Sequence, residues 1–182
     1  MFRRKKILVM FALFAILAMP LFAEMRIDVG ADIPINMGVA VSGIGGTTQT
    51  QSIDVLTNYL FLLPEASVMY QVPVGPMNFG IGVRGLSFIV ESLIWPNLFA
   101  EANLGPVAID FNVGGGAFLF FGLYNHLGTG SVWIPDLSAY FKIGKVFRLG
   151  AGVALLLGPD VSAGTSVVPY VFYFGGKFSF TL

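Results

Sequence analysis

The chain contains no cysteine. Disulfides, thiol catalysis and cysteine-ligated zinc are therefore excluded, as is a bacterial lipoprotein, which needs a cysteine at its cleavage site. Histidine occurs once, at His126. Charge is scarce too: Asp, Glu, Lys and Arg make up 11% of 182 residues, against a hydrophobic fraction of 55%. Soluble domains carry about 25% charged residues. Ten basic and ten acidic groups hardly cover a solvated surface on a chain this long. Something other than water is expected to face much of the molecule.

The first residues read Met1-Phe2-Arg3-Arg4-Lys5-Lys6, followed by an apolar run from Ile7 to Ala18 and then Met19-Pro20-Leu21-Phe22-Ala23. A basic start, a short apolar core and a small residue at Ala23 make a secretory signal. The alternative is a retained anchor, but the run is shorter than the about 20 residues a spanning helix needs. We expect residues 1–23 to be a signal peptide for Sec export and residues 24–182 to be one domain. Leu21, bulkier than the alanine preferred at −3, leaves the cut open by a few residues. Four of the ten basic residues lie in this leader, so the remainder is acidic. That balance does not suit a nucleic-acid binder.

Backbone polar groups need partners in lipid, so a membrane is crossed by helices or by a closed barrel. Two-residue alternation and 23 glycines choose the barrel. Ile27, Val29, Ala31, Ile33, Ile35 and Met37 alternate with Arg26, Asp28, Gly30, Asp32, Pro34 and Asn36. The same period of two recurs over 78–84, 97–104, 107–114, 136–143 and 147–154, where a helix would scatter the charges around its circumference. A soluble β-sandwich also alternates, but its outer faces need more charge than this chain has. A helical inner-membrane protein is disfavoured by Gly114-Gly115-Gly116 inside the uncharged stretch from Phe111 to Pro135.

Tight turns Val74-Gly75-Pro76-Met77, Leu104-Gly105-Pro106-Val107 and Ile143-Gly144-Lys145-Val146 each join two alternating segments. The segments before them open with Pro64, Pro96 and Pro135, and Pro169 opens a fourth. Proline is tolerated at the first position of a strand. The repeat predicts a closed, antiparallel, up-and-down transmembrane β-barrel. Its eight strands fall near 26–38, 60–74, 77–87, 96–104, 107–119, 135–143, 146–156 and 168–182. Longer outer loops are expected at 39–59, 88–95, 120–134 and 157–167. Pro34 inside the first strand predicts a bulge there. Trp95, Trp133, Tyr59 and Tyr124 are expected at the outer membrane interface, with Phe147, Phe178 and Phe180 at the inner one.

Alternation also sorts the charges. Arg26, Asp28, Asp32, Glu65, Arg84, Glu101, Asp110, Asp136, Lys142, Arg148 and Lys177 fall on the polar parity. None falls on the lipid-facing parity within a strand. Six acids and five bases predict a lumen of paired charges. An eight-stranded barrel has room for side chains or one small ligand. Two interiors follow: an ionic plug, or a narrow conduit or pocket. Gly80, Gly82, Gly114, Gly116, Gly150 and Gly152 on the lumen parity would leave space or else curve the sheet.

The chain ends Tyr170, Phe172, Phe174, Gly176, Phe178, Phe180, Leu182 on the apolar parity. This resembles the C-terminal strand read by the outer-membrane assembly machinery, with Leu182 in place of the usual terminal Phe. With the leader and the strand count, the domain resembles the small eight-stranded outer-membrane barrels of the OmpA, OmpX and OmpW type. The resemblance implies an outer-membrane location in a diderm bacterium. It also implies Phe174, Phe178, Phe180 and Leu182 as an assembly signal, with the barrel assembly machinery, periplasmic chaperones and outer-membrane lipid as partners. No cofactor is expected.

Chemistry is sparse. His126 has Ser131 and Asp136 as its nearest sequence partners, in no recognisable motif. Asp28 and Asp32 lie four residues apart, about 13 Å along a strand, too far for a metal pair. Neither Gly114-Gly115-Gly116 nor Gly43-Ile44-Gly45-Gly46 is followed by the Lys-Ser/Thr of a phosphate loop. The leading expectation is a non-enzymatic barrel with a structural or surface-interaction role. A second is a passive conduit for small hydrophobic molecules, its mouth lined by Leu86, Phe88, Val90 and Phe118, as OmpW-like proteins suggest. A third is a lipid-modifying barrel enzyme acting through His126.

Overall fold

The computed structural model describes residues 23–42, 48–55, 61–88, 90–158 and 166–182. Residues 1–22 of the expected leader and Tyr59 lie outside these residues. Nine strands are present among them: β1 (Glu24–Ser42), β2 (Thr48–Asp54), β3 (Leu63–Val74), β4 (Met77–Phe88), β5 (Glu91–Leu104), β6 (Val107–Gly122), β7 (His126–Ile143), β8 (Phe147–Leu155) and β9 (Ser166–Thr181). From β3 to β9 each strand pairs antiparallel with the next, and β9 returns to β1. Together with β1 they close an eight-stranded barrel. Closure removes the free edges that an open sheet would leave unpaired.

The three tight turns occur where glycine permits positive φ: Gly75 at 61°, Gly105 at 67° and Gly144 at 69°. They gather at one end of the barrel. The chain end joins them, since Leu182 and Met25 exchange backbone hydrogen bonds of 2.8 and 3.2 Å.

The ninth strand is an addition to the expected count. One edge of β1 pairs with β9 along its whole length. The other edge pairs with β3 over Glu24–Asp32 and with β2 over Asn36–Ser42. The descending wall strand is thus split in two. The split coincides with the register shift between Pro34 and Asn36, where the expected bulge occurs. Proline lacks the N–H that a continuous ladder would need there.

Two expected loops are strands instead. Residues 91–95 belong to β5 and 126–134 to β7, so the connections between β4 and β5 and between β6 and β7 are short. Pro96 and Pro135 therefore do not open strands. Each sits where a ladder is already irregular: β5 and β6 slip register between Ile94 and Asn97, and the β7–β8 ladder ends at Asp136–Ala154. Bulges and ladder ends accommodate the missing donor. The strands overrun the apolar band because hairpin hydrogen bonding continues into the region beyond it.

This extension also reverses the expectation for Trp95. Once β5 begins at Glu91, position 95 faces the lumen, and Trp95 is 2% exposed. Its indole occupies the place a side chain at Gly114 would take and lies 6.4 Å from the Phe118 ring. The neighbouring Gly115 and Gly116, at φ 139° and 78°, form the bulge that lets β6 bend around it. Trp133, in contrast, points outward, and Tyr124 is exposed at the tip between β6 and β7. Gly114→Val should cost about 1–3 kcal/mol by overpacking. Urea unfolding in vesicles should show a smaller cost in a Trp95→Ala background; equal costs in both backgrounds would contradict this fit.

Candidate functional site

Along β3 and the lower half of β5, exposure alternates residue by residue. Val68, Tyr70, Ile81, Leu98, Phe111, Leu137 and Phe141 turn outward. A water-soluble surface would not display such a ring of large apolar side chains. The opposite parity fills the lumen, which holds the candidate site.

Each of the eleven sequence-selected charges lies on that inner parity. Nine are buried: Arg26, Asp28, Asp32, Glu65, Arg84, Glu101, Asp110, Asp136 and Lys177. Lys142 and Arg148, nearer the turn end, are partly exposed. The structure sorts them into two layers.

The lower layer is built from β1, β5, β6, β8 and β9. Arg26 grips Asp28 with two hydrogen bonds of 2.8 Å and donates to Glu101 Oε2 at 2.6 Å. Arg148 also donates to Glu101. Asn78 and Asn103 donate to its second oxygen at 3.1 and 2.9 Å. Lys177 Nζ reaches Asp110 at 2.7 Å and Asp28 at 3.4 Å. Three cations and three carboxylates therefore balance here. Two aromatic faces complete the cations' surroundings: the Arg26 guanidinium stands 4.6 Å over Phe99, and Lys177 Nζ stands 4.2 Å over Tyr140. Lys142 is held apart, donating to Asn103 Oδ1 at 2.7 Å.

The upper layer centres on Arg84. It donates to Glu65 at 2.7 and 3.1 Å and to Asp136 at 2.9 Å. The Tyr173 hydroxyl donates to the same Asp136 carboxylate at 2.8 Å. Asp32 lies close to this layer, facing Gly175, but forms no ion pair among the described residues. Asp28 and Asp32, on one face of β1 with Gly30 between them, thus belong to different layers.

Almost no space remains between the layers, while a larger cavity of about 450 Å³ lies beside Glu65 and Arg84 and reaches the wall residues Val29, Val68 and Val83. The void between the layers, bordered by Asp28, Glu65, Arg84, Asn112, Ser138 and Lys177, measures about 10 Å³, room for about one water. The lumen glycines do not open it. A Cβ at Gly82 would overlap the Val68 carbonyl oxygen, and one at Gly150 that of Ala139. At Gly152 it would meet the Tyr173 hydroxyl at 2.5 Å. These glycines let backbone and rings close in on the axis.

Sequence patterning already placed Phe99 and Tyr140 on the lumen parity. It leaves Trp95 outside the lumen, because residues 88–95 read as a loop. The roles of Tyr173 and Ser179 as hydrogen-bond donors to Asp136 and Asp28 were not foreseen. Their parity opposite Phe172, Phe174, Phe178 and Phe180 was the available signal. Phe174, Phe178 and Phe180 face outward on the last strand, and Leu182 is exposed beside Met25. His126 opens β7 at the outer end, exposed and 6.5 Å from the Phe120 ring. Asp136 is engaged by Arg84 and Tyr173.

No family model matches the chain. No curated protein matches it either. Solved structures with a similar chain path include Neisserial surface protein A, at 14% identity and a TM-score of 0.41. That comparison covers 85% of this chain and 97% of the other. Another is Ail, the attachment invasion locus protein of Yersinia pestis, at 10% identity and a TM-score of 0.39, covering 87% and 99%. A third is the toluene transporter TodX of P. putida, at 13% identity and a TM-score of 0.26, covering 80% and 53%.

Proposed function

We propose that this protein is an integral outer-membrane barrel of a diderm bacterium, with a structural or surface-interaction role and no catalysis. The observation that carries this reading is the lumen. Two stacked ionic layers leave a void of about 10 Å³ between them where a pore would need a continuous path, and the larger cavity of about 450 Å³ is lined in part by outward residues of the wall, Val29, Val68 and Val83. Trp95, the ladder neighbour of Arg84, and Phe118 add buried aromatic bulk to the lumen. The apolar exterior supports insertion into a bilayer, because a closed barrel with that belt has its backbone groups already paired. What remains free to act is the outer end, formed by the β1–β2, β4–β5 and β6–β7 hairpins.

Reconstituted in planar bilayers, the protein should show no stepwise conductance and take up no small hydrophobic probe. Regular conductance steps would overturn the plugged reading and favour the conduit. In that conduit, Leu86, Phe88 and Val90 would form the entrance above Phe118. A lipid-modifying role through His126 is separable from both, since His126→Ala would abolish any modification of outer-membrane lipid by this protein.

A further inference from the structure

The outward face stays apolar beyond the height a bilayer's hydrocarbon should reach. β6 has 16 residues. At about 3.3 Å per residue and a tilt of about 40° it rises roughly 40 Å, against an apolar band of about 25 Å. Past that level Leu119 faces outward between its ladder neighbours Ile94 on β5 and Leu127 on β7. Phe121 follows on the same face, and Leu123 and Tyr124 form the tip. Their exposures run from 44% at Leu119 to 75% at Tyr124. No Asp, Glu, Lys or Arg occurs between Phe111 and Pro135. On β2, also at the outer end, Thr50, Gln51, Ser52 and Asp54 are exposed and polar.

The tip is tied in place. The Gly122 N–H donates to Asn125 Oδ1 at 3.3 Å, and the Leu123 N–H donates to the Val90 carbonyl at 3.3 Å. The Tyr124 N–H donates to Glu91 Oε2 at 3.0 Å. Glu91 is the nearby charge, and its parity, shared with Trp95, points to the lumen side.

We propose that the outward face of the β6–β7 hairpin is a lipid-contact surface, covered by acyl chains of the barrel's own outer leaflet. Two observations select that occupant. The hairpin face joins the apolar belt along β5 and β6 through Ile94 and Leu119, with Leu127 beside them and only the uncharged Thr129 and Ser131 intervening on β7, and it carries no charge that a protein partner would pair with. A belt taller on one side is accommodated by a lean of the barrel or a local thickening of the bilayer. The inference rests on the exterior belt facing hydrocarbon, and its test separates the two.

The chain has no native cysteine, so single nitroxide labels can be placed in the full-length protein in phospholipid vesicles. Leu123→Cys, Leu127→Cys and Phe121→Cys probe the hairpin, Leu98→Cys the belt and Gln51→Cys the polar β2. Collision with oxygen against a water-soluble nickel chelate reads the depth of each label. The hairpin labels should resemble Leu98→Cys, several-fold more accessible to oxygen than to nickel, while Gln51→Cys shows the reverse. Hairpin labels that resemble Gln51→Cys while Leu98→Cys stays oxygen-accessible would overturn the proposal and leave the belt intact. A nickel-accessible Leu98→Cys would sink the belt and the proposal together. Spin–spin broadening at Leu123→Cys would assign the face to a second copy and reject lipid as the occupant.

Discussion

Arg26→Met should unfold at clearly lower urea than the parent protein in lipid vesicles, with about 3–5 kcal/mol of stability lost, the usual cost of removing one member of a buried ion pair. Arg26 is 1% exposed and holds Asp28 in a two-point grip while also donating to Glu101. Methionine preserves much of the volume and none of the donors. Both carboxylates would then be left short of a cation, and the void beside Asp28 has room for about one water. The lesion also falls at the closing seam: Asp28 on β1 is bonded by Ser179 on β9 at 2.7 Å and approached by Lys177 on the same strand. Lys142→Met provides the contrast. Lys142 is partly exposed and donates to a neutral asparagine, so its loss should cost less than about 1 kcal/mol. Equal midpoints for Arg26→Met and the parent would show that the network contributes nothing to holding the barrel shut.

Leu98→Arg should be nearly as damaging for the opposite reason. Leu98 is 55% exposed, outward, and flanked on the ladder by Ile81 and Val113 near the middle of the wall. If that wall faces hydrocarbon, an arginine there costs about 2–4 kcal/mol at mid-depth. On a solvated wall the same substitution would be near neutral or favourable. Urea unfolding in vesicles decides, and it should be paired with Gln51→Arg, where β2 is polar and exposed. Leu98→Arg should lose stability, and Gln51→Arg should stay within about 0.5 kcal/mol of the parent.

The reason so much was readable beforehand is that a closed barrel imposes one rule over the whole wall. Along it, a side chain faces either the apolar exterior or a crowded lumen, so parity alone assigns Asp110 and Phe111 to opposite sides. The tight turns were legible because Gly75, Gly105 and Gly144 occupy positive φ. The bulge at Pro34 was legible because proline cannot donate. Outside the band the rule lapses, and the reading failed there. Residues 91–95 and 126–134 carry no clean alternation yet stay paired, since a hairpin needs backbone partners and not a particular face. That single error in strand length moved Trp95 from the membrane interface to the lumen. β2 was hidden for the same reason: Thr48–Asp54 is a polar strand inside a segment whose composition reads as loop. Pairing within each layer was also out of reach. Parity says that Arg84 and Lys177 point inward, but only the barrel's shear sets Arg84 against Asp136 and Lys177 against Asp110.

The most direct measurement is carbene photolabelling from within the bilayer, using a hydrophobic diazirine dissolved in the vesicles and residue-level mass spectrometry. It compares aromatic residues of like chemistry on the two sides of one wall. Phe111, Phe141 and Tyr70 should take label, while Phe99, Tyr140 and Tyr173 take none. Label on the second set, or none on the first, would mean that acyl chains do not meet the faces to which parity assigns them.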